Sequence, residues 1–229
     1  MIRKDGWKSY NIWEHSRTVR ELYRGRCDGT VEEMTAHAQA AELLTPHVRS
    51  GDTLLDVGCG AGYFYHSLRK RMLDVDYWGI DASSGLIDIG RDTLPDFGLP
   101  TERLQAVRIE DADGTFDHLV CINVLSNIDN YHRPLERMLN MATKTVLLRE
   151  SLKSGAEYHY VEDRFLDDGV TLKVHVNHYD VDDVKNFIAA HGFAVETIVD
   201  RRTGGSPELV INHPHYWTFL LATRLNAEG

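Results

Sequence analysis

Three glycines at alternate positions, directly after a short apolar run, constrain the fold of this chain more than any other stretch. Residues 54–57, Leu-Leu-Asp-Val, begin as an apolar run and predict a buried parallel strand. Gly58, Gly60 and Gly62 follow, and a loop without Cβ atoms turns tightly and lets a ligand approach the backbone. Residues 63–71 then predict a helix. The order of strand, glycine loop and helix is typical of a site for a nucleotide-type cofactor.

Two acidic residues distinguish this loop from that of a dinucleotide-binding dehydrogenase. Asp56 lies two residues before the first glycine, where such a dehydrogenase usually has an apolar residue. The glycines follow the pattern G-x-G-x-G instead of G-x-G-x-x-G. A second predicted strand, residues 77–81, ends at Asp81, about 20 residues after the loop. An acid at that place can accept hydrogen bonds from both hydroxyls of a ribose.

Four segments in the right order and spacing carry a family resemblance. They are residues 56–62 (Asp-Val-Gly-Cys-Gly-Ala-Gly), 79–83 (Gly-Ile-Asp-Ala-Ser), 110–112 (Glu-Asp-Ala) and 116–120 (Phe-Asp-His-Leu-Val). Over about residues 53–152 the chain resembles the class I S-adenosylmethionine (SAM) dependent methyltransferases. The resemblance implies an α/β, Rossmann-like fold with a seven-stranded mixed sheet and helices on both faces. It also implies S-adenosyl-L-methionine as the cofactor.

The resemblance assigns cofactor-binding roles to residues at the ends of the first, second and fourth strands and in the loop before the fourth. These residues are Asp56, Gly58, Cys59, Gly60, Asp81, Ala82, Asp111, Ala112 and Asn123. The first four bracket the methionine part, Asp81 holds the ribose and Ala82 packs on the adenine. Asp111 and the Ala112 backbone take the adenine edge, and Asn123 faces the methionine end and the methyl acceptor.

The N-terminal stretch differs from the rest of the chain in charge. We expect residues 1–45 to form a helical arm or lid, and residues 46–229 to form the SAM-binding domain. Residues 1–26 hold seven Lys and Arg and three Asp and Glu, a net +4 against −14 for the remainder. Arg17, Arg20 and Arg24 fall on one face of a helix. The large aromatic residues of the arm are Trp7, Tyr10, Trp13 and Tyr23.

The arm has two interpretations. It either packs as a surface helix held to the acidic body, or it closes over the site so that its arginines meet an anionic acceptor. Further along, residues 30–33 have the pattern of a capping box and predict a helix that runs to Leu44. In this helix we expect His37 to face solvent.

Residues 156–179 predict a β-hairpin inserted after the fifth strand. Residues 158–165 and 171–179 alternate between apolar and polar side chains, and Asp167-Asp168-Gly169 lies between them. An exposed two-stranded ribbon is marginally stable by itself and needs a partner surface. We therefore expect the hairpin either to line the acceptor pocket or to pair two subunits in a homodimer.

Methyl transfer from a sulfonium is an in-line displacement, so most of the catalysis is positioning of the acceptor. An oxygen or protonated nitrogen acceptor also needs a base. The principal candidates are Glu150, at the end of the predicted fifth strand, and His178 in the hairpin. His132, His159 and His175 stay open as alternatives. Because His175 and His178 point to opposite faces of a regular strand, they are not paired metal ligands, and we predict no metal site.

Composition limits the function classes. The net charge of −10 argues against DNA or bulk RNA as a partner. The three unclustered cysteines and the lack of an 18-residue apolar run indicate a cytoplasmic protein that does not span a membrane. The sequence favours methylation of an oxygen or nitrogen atom of a small molecule, such as a secondary metabolite or sugar derivative. The alternatives are a tRNA or protein methyltransferase and a non-catalytic SAM-binding subunit. The acceptor itself stays open.

Overall fold

The computed structural model describes residues 9–225, so Trp7 of the predicted arm lies outside the described residues. The strands are β1 Asp52–Val57, β2 Val75–Asp81, β3 Leu104–Ala106, β4 Phe116–Ile122, β5 Ala142–Lys153, β6 Tyr160–Glu162, β7 Lys173–His175, β8 Tyr179–Asp180, β9 Phe193–Val199, β10 Glu208–Val210, β11 His213–His215 and β12 Trp217–Arg224. The α-helices are α1 Arg17–Cys27, α2 Thr35–Leu44, α3 Phe64–Lys70, α4 Ser84–Thr93, α5 His132–Met141 and α6 Val181–Ala190.

The central sheet is mixed and has the strand order β3-β2-β1-β4-β5-β12-β9, with the short β8 paired to the end of β5. Strands β1 to β5 pair in parallel, and β12 runs antiparallel to both of its neighbours, β5 and β9. The strand order reverses between β1 and β4, and in open α/β sheets a ligand crevice lies outside the carboxyl ends of the strands at that place. The predicted mixed, Rossmann-like sheet is confirmed, and its seven main strands are joined by β8 as an eighth.

Two apolar layers hold helices to the two faces of the sheet. Leu54 packs into one buried cluster with residues of α2, α3 and α4, whereas its neighbour Leu55 packs into the other with residues of α5 and α6. Successive side chains of a strand point to opposite faces, so a run of apolar residues serves both layers. Among the helices in residues 9–225, none is long and apolar enough to cross a membrane.

The predicted hairpin is present, but it is shorter than its alternating pattern. β6 and β7 pair antiparallel with Tyr160 opposite His175 and Val161 opposite Val174. A second hairpin, β10–β11, has no counterpart in the sequence prediction. The first hairpin is tied to the arm, because Asp167 accepts hydrogen bonds from Arg17 N at 2.7 Å and from Arg20 Nη2 at 3.2 Å. Arg20 therefore forms an ion pair between the arm and the loop of the hairpin.

The capping-box prediction is wrong. Helix α2 begins at Thr35, and Met34 at its N-cap makes no side-chain capping hydrogen bond. The Thr30 hydroxyl instead bonds within the preceding turn, and the carboxylate of Glu33 accepts a hydrogen bond from Arg71 at 2.8 Å. The segment that precedes α2 thus contacts the end of α3, and no local capping box forms. The expectation for His37 is also wrong: its ring is buried and stacks on Tyr63 with the ring centroids 4.9 Å apart.

Two strand lengths differ from the expected ones. β3 ends at Ala106, because residues 109–111 form a 3-10 turn where the sequence predicts strand to Ile109. The sequence predicts the fifth strand over residues 145–148, whereas β5 spans Ala142–Lys153, directly after α5. The last residues of β5 pair with β8 and with the start of β12.

Candidate active site

The glycine loop between β1 and α3 leaves no room for side chains. Gly58, Gly60 and Gly62 have φ values of 70°, 58° and 80°, a region that L side chains rarely adopt. A Cβ at Gly58 would lie 2.2 Å from Val124 Cγ2, and one at Gly60 would lie 2.3 Å from Tyr23 Cε1. The amides of Gly58 and Cys59 donate to the carbonyl of Ile80 and thereby fix the loop against the end of β2.

Asp81 ends β2 beside this loop. Its Oδ2 accepts a hydrogen bond from Gly60 N at 2.8 Å, and its Oδ1 accepts one from Ser83 N at 2.7 Å. Burial raises the pKa of Asp81 to about 6, although the amides of Ser83 and Gly60 favour the ionised form. Each carboxylate oxygen accepts one backbone hydrogen bond and keeps a further lone pair for a ligand. Asp81 is thus an oriented acceptor at the edge of the cavity.

Asp56 is the second acid near the loop. Its Oδ2 accepts a hydrogen bond from the Tyr77 hydroxyl at 2.7 Å, and the residue is 5% exposed. Burial raises the pKa of Asp56 to about 7, the Tyr77 bond opposes this rise, and the charge of Asp81 adds to it. Two carboxylates therefore share one side of the site, and neither forms an ion pair with a Lys or Arg of the described chain.

A cavity of about 920 Å³ lies along the carboxyl ends of β1, β2 and β4. Most of the predicted cofactor residues line it, namely Asp56, Gly58, Cys59, Asp81, Ala82 and Asn123. The arm contributes Tyr10, Asn11, Ile12, Trp13, Val19, Leu22, Tyr23 and Arg26. The hairpin contributes Tyr160, Lys173, Val174 and His175, and the C-terminal part contributes Arg202, Val210 and Trp217. The arm, the hairpin and the C-terminal part thus complete the lining of the cavity.

Three of the predicted cofactor residues do not line the cavity. Gly60 is covered by the ring of Tyr23. The side chain of Asp111 is 60% exposed and pairs with Arg108 at 2.8 Å, while the Ala112 carbonyl accepts a hydrogen bond from Arg137. In this segment the cavity is lined by Val107, Arg108, Ile109 and Glu110. The adenine-binding roles of Asp111 and Ala112 stay predictions.

Glu150 holds a loop and does not face the cavity. Its Oε1 accepts hydrogen bonds from the amides of Val124 and Leu125, and its Oε2 accepts two from the amide and hydroxyl of Ser126. Burial raises the pKa of Glu150 although these bonds favour the ionised form. A carboxylate with four donors on it and 2% exposure has no free position for an acceptor proton. The prediction of Glu150 as the base is therefore corrected to that of a structural acceptor.

His178 is likewise outside the cavity. It is 2% exposed, its backbone pairs with Glu157, and its Nε2 lies 3.4 Å from a carboxylate oxygen of the same residue. His175 lines the cavity, stacked on Tyr160 with ring centroids 4.5 Å apart, whereas His178 lies beyond the end of β7. Burial lowers the pKa of His175, although Asp129 opposes this. The geometry favours His175 over His178.

One end of α1 forms an aromatic and cationic cluster over the glycine loop. Tyr23 covers Gly60 and meets the Tyr63 ring edge-on, with centroids 5.1 Å apart. Arg26 donates to the Tyr63 hydroxyl at 2.9 Å, and its guanidinium carbon lies 5.2 Å from the centre of that ring. Within residues 9–225 Arg26 makes no ion pair, and His37 stacks on the Tyr63 ring.

The sequence predicted Arg17, Arg20 and Arg24, and not Arg26, as the arginines of the arm that face the site. The side chain of Arg17 is 79% exposed, Arg20 pairs with Asp167, and neither Arg17, Arg20 nor Arg24 lines the cavity. Arg26 lies three residues after Tyr23, so the i, i+3 spacing on the helix was the signal for it. Trp217 and Arg202 had no local signal, because long-range strand pairing brings them to the site.

Asn123 follows β4 in a left-handed backbone conformation, with φ at 61°. Its amide donates to the Arg149 carbonyl at 2.8 Å, and its side-chain oxygen accepts a hydrogen bond from Arg149 Nη1. Asparagine is one of the few residues that adopt this conformation readily. Within the described part of the chain, no cluster of three His, Cys, Asp or Glu side chains is arranged to hold a metal ion.

The chain belongs to the methyltransferase domain family, whose model matches residues 32–198. A curated protein of Rickettsia prowazekii (strain Madrid E), described as uncharacterized, is 33% identical over 105 residues, 42% of each chain. A probable methyltransferase of Aspergillus luteorubrus is 25% identical over 135 residues, 55% of this chain and 47% of that one. The matches thus span less than half the length of these two relatives.

Solved structures share the fold. Magnesium protoporphyrin IX methyltransferase from Synechocystis PCC 6803, with bound SAM, has a TM-score of 0.61 and 14% identity over 97% of this chain and 98% of that one. A SAM-bound amino pentose methyltransferase from Micromonospora echinaspora has a TM-score of 0.61 and 17% identity over 91% of this chain and 97% of that one. The family match and the sheet order together define a class I methyltransferase domain.

Proposed function

We propose that this protein transfers the methyl group of SAM to an oxygen or nitrogen atom of a small molecule. One observation carries the proposal: a single cavity joins the glycine loop and Asp81 to side chains of the arm, the hairpin and the C-terminal strands. The first part of the cavity, formed by the glycine loop and Asp81, has the features of a nucleoside site. The second part, formed by the arm, the hairpin and the C-terminal strands, belongs to segments that vary among enzymes of one fold and carry specificity.

The residues of the first part fit SAM. A Cβ at Gly58 would fill the space beside Val124, so the loop keeps its backbone accessible. The Asp81 carboxylate, oriented by two amides, can accept from the ribose hydroxyls. Arg26, which has no carboxylate partner in residues 9–225, can bind the carboxylate of the methionine part, for which its planar fork is suited. When bound, SAM supplies an activated methyl group for in-line transfer.

The chain's own residues would position the acceptor and exclude water. Trp13, Tyr160 and Trp217 provide apolar walls on three different segments of the cavity. An acceptor that must lose a proton needs a base within hydrogen-bond reach. His175 fits this role, because its lowered pKa keeps the imidazole neutral at pH 7 and Asp129, which also lines the cavity, stabilises the protonated form.

A small acceptor fits this enclosure better than a macromolecule. The arm and the hairpin, which both line the cavity, are fastened to each other by the bonds of Asp167 to Arg17 and Arg20. Lys173 lines the acceptor part and forms no ion pair within residues 9–225, which favours an anionic acceptor, whereas the charge of Arg202 is paired with Glu208. The proteins with similar folds include a porphyrin and an amino pentose methyltransferase, which supports a small-molecule acceptor.

The roles of the segments belong to the same proposal. Residues 1–45 act as the lid, and residues 46–229 form the domain that binds SAM. A cytoplasmic location and a homodimer through the hairpin stay predictions, and sedimentation measurements test the second.

A panel assay with tritiated SAM tests the proposal. Transfer of label to a fraction of small metabolites, and not to bulk tRNA or protein, is the expected result. The Asp81→Ala variant should bind SAM more weakly by about 1–3 kcal/mol and transfer less label when SAM is limiting, because the ribose hydroxyls lose a charged acceptor. Label in tRNA or protein would favour the macromolecular alternative. Calorimetry that shows binding of NAD and not of SAM would overturn the cofactor assignment.

A further inference from the structure

Arg149 lies in the middle of β5 and is completely buried, as is Asp200 at the end of β9. Arg149 Nε donates to Asp200 Oδ2 at 2.7 Å. Burial alone would raise the pKa of Asp200, but the Arg149 guanidinium lowers it, so the two side chains form a charged pair. Neither residue lines the cavity, and the function proposed above does not use them.

Arg149 nevertheless contacts two residues that do line the cavity. Its Nη1 donates to the side-chain oxygen of Asn123, and its carbonyl accepts from the Asn123 amide. Its guanidinium carbon lies 4.5 Å from the centre of the Trp217 ring, a cation–π distance. One arginine therefore fixes both a left-handed residue at the end of β4 and an aromatic wall at the start of β12.

Trp217 is also held by a second group, the carboxylate of Glu208. Its Nε1 donates to Glu208 at 2.8 Å, and Glu208 also pairs with Arg202. Arg202 belongs to the turn that Asp200 organises by accepting a hydrogen bond from Thr203 N at 2.9 Å. The buried pair thus reaches Trp217 through the ring contact of Arg149, and it reaches the segment that carries Arg202 through the bond of Asp200 to Thr203 N.

Stability is a weak reason for this arrangement. A buried ion pair loses much of its Coulomb energy to desolvation, and its replacement by neutral side chains is often neutral for folding or stabilising. The remaining nitrogen, Nη2, is buried and makes no hydrogen bond with residues 9–225. A bridge selected for stability alone would satisfy that donor.

We infer that Arg149, neutralised by Asp200, is a positioning residue that sets the orientation of Asn123 and Trp217 at the acceptor end of the cavity. It touches neither cofactor nor acceptor. The inference rests on the proposed function for its effect on turnover, but not for its effect on the orientation of Trp217.

The test uses three variants of the full chain. Arg149→Met combined with Asp200→Asn removes both charges and keeps an oxygen for Thr203 N. Arg149→Lys keeps the charge but loses the fork that reaches Asn123 and stacks on Trp217. Arg224→Met is the matched control, because Arg224 also lies over an aromatic ring, Phe193 at 4.3 Å, and donates to the Ala142 carbonyl, at the opposite end of the β5–β12 pair.

The first readout is the 19F resonance of Trp217 in protein labelled with 5-fluorotryptophan, assigned with Trp217→Phe. We expect Arg149→Lys and the double variant to shift or broaden this resonance, and Arg224→Met to leave it unchanged. The double variant should change the melting temperature by no more than about 4 °C. An unchanged Trp217 resonance in both Arg149 variants, or an equal change in Arg224→Met, would overturn the inference.

The second readout is methyl transfer to the acceptor fraction found by the panel assay. Misplacement of an acceptor by about 1 Å costs roughly 100-fold in rate, so the double variant should lose turnover by that order. Its affinity for S-adenosylhomocysteine should fall much less, because Asn123 is the one predicted cofactor residue that Arg149 holds. Loss of turnover in step with loss of folded protein would contradict a positioning role. Failure of the wild type to transfer label would refute the proposed function, and the resonance of Trp217 would still decide the inference.

Discussion

The pH dependence of cofactor affinity should follow the ionisation of Asp81. Its pKa of about 6 in the ligand-free protein lies inside the range that binding experiments can cover. The carboxylate must be ionised to accept hydrogen bonds from both ribose hydroxyls, because protonation turns one oxygen into a donor. Affinity should therefore be nearly full at pH 8 and fall as the pH drops below 6.

The size of the effect follows from the ionised fraction. About 90% of Asp81 is ionised one unit above its pKa and about 10% one unit below it, and apparent affinity scales with the competent fraction. Between pH 8 and pH 5 the dissociation constant should thus rise about tenfold, or roughly 1.4 kcal/mol. Calorimetric titration with S-adenosylhomocysteine measures this directly, since the ligand has no group that titrates between pH 5 and pH 8.

Two variants separate Asp81 from its acidic neighbour. Asp81→Asn keeps an oxygen for a backbone amide and should give a flat pH profile, with affinity at pH 8 reduced by about 1.5–3 kcal/mol. Asp56→Asn should keep the slope, because Asp56 bonds to Tyr77 and is not the residue assigned to the ribose hydroxyls. A slope that persists in Asp81→Asn and disappears in Asp56→Asn would refute the assignment of the ribose acceptor.

Three further predictions concern the same site. The unfolded chain releases the Asp56 proton near pH 4 and the folded chain releases it near pH 7, so the stability of the folded state falls as the pH rises through this window. Asp56→Asn should therefore raise the free energy of unfolding at pH 8 by roughly 4 kcal/mol, measured by urea denaturation. Gly60→Val should abolish S-adenosylhomocysteine binding, measured by calorimetry, because its Cβ meets Tyr23, whereas Gly51→Val has similar backbone strain with nothing within 4 Å and should bind normally. Arg26→Ala should weaken S-adenosylhomocysteine and spare 5′-methylthioadenosine, which lacks the carboxylate; equal weakening of both ligands would remove Arg26 from that role.

The sequence determined the parts of this protein that depend on neighbours along the chain. The glycine loop, the acid at the end of β2 and the parallel strands follow from local rules, since a positive φ selects glycine and a strand buried on both faces is apolar throughout. The N-cap of α6 is local as well, because the Asp180 side chain accepts from the amides two and three residues later. The order of these strands, loops and helices along the chain then predicted the Rossmann-like fold.

Only the tertiary structure decided which polar residues face the cavity. Glu150 and His178 had the residue types of a base, yet long-range contacts with the loop after β4 and with Glu157 withdrew both from it. His175 and Arg26 entered the site instead, because the hairpin and α1 fold over the sheet from distant parts of the chain. Side-chain type is a local property, whereas burial and orientation depend on what another segment places against the residue. The sequence alone therefore located the cofactor loop but not the groups at the acceptor end.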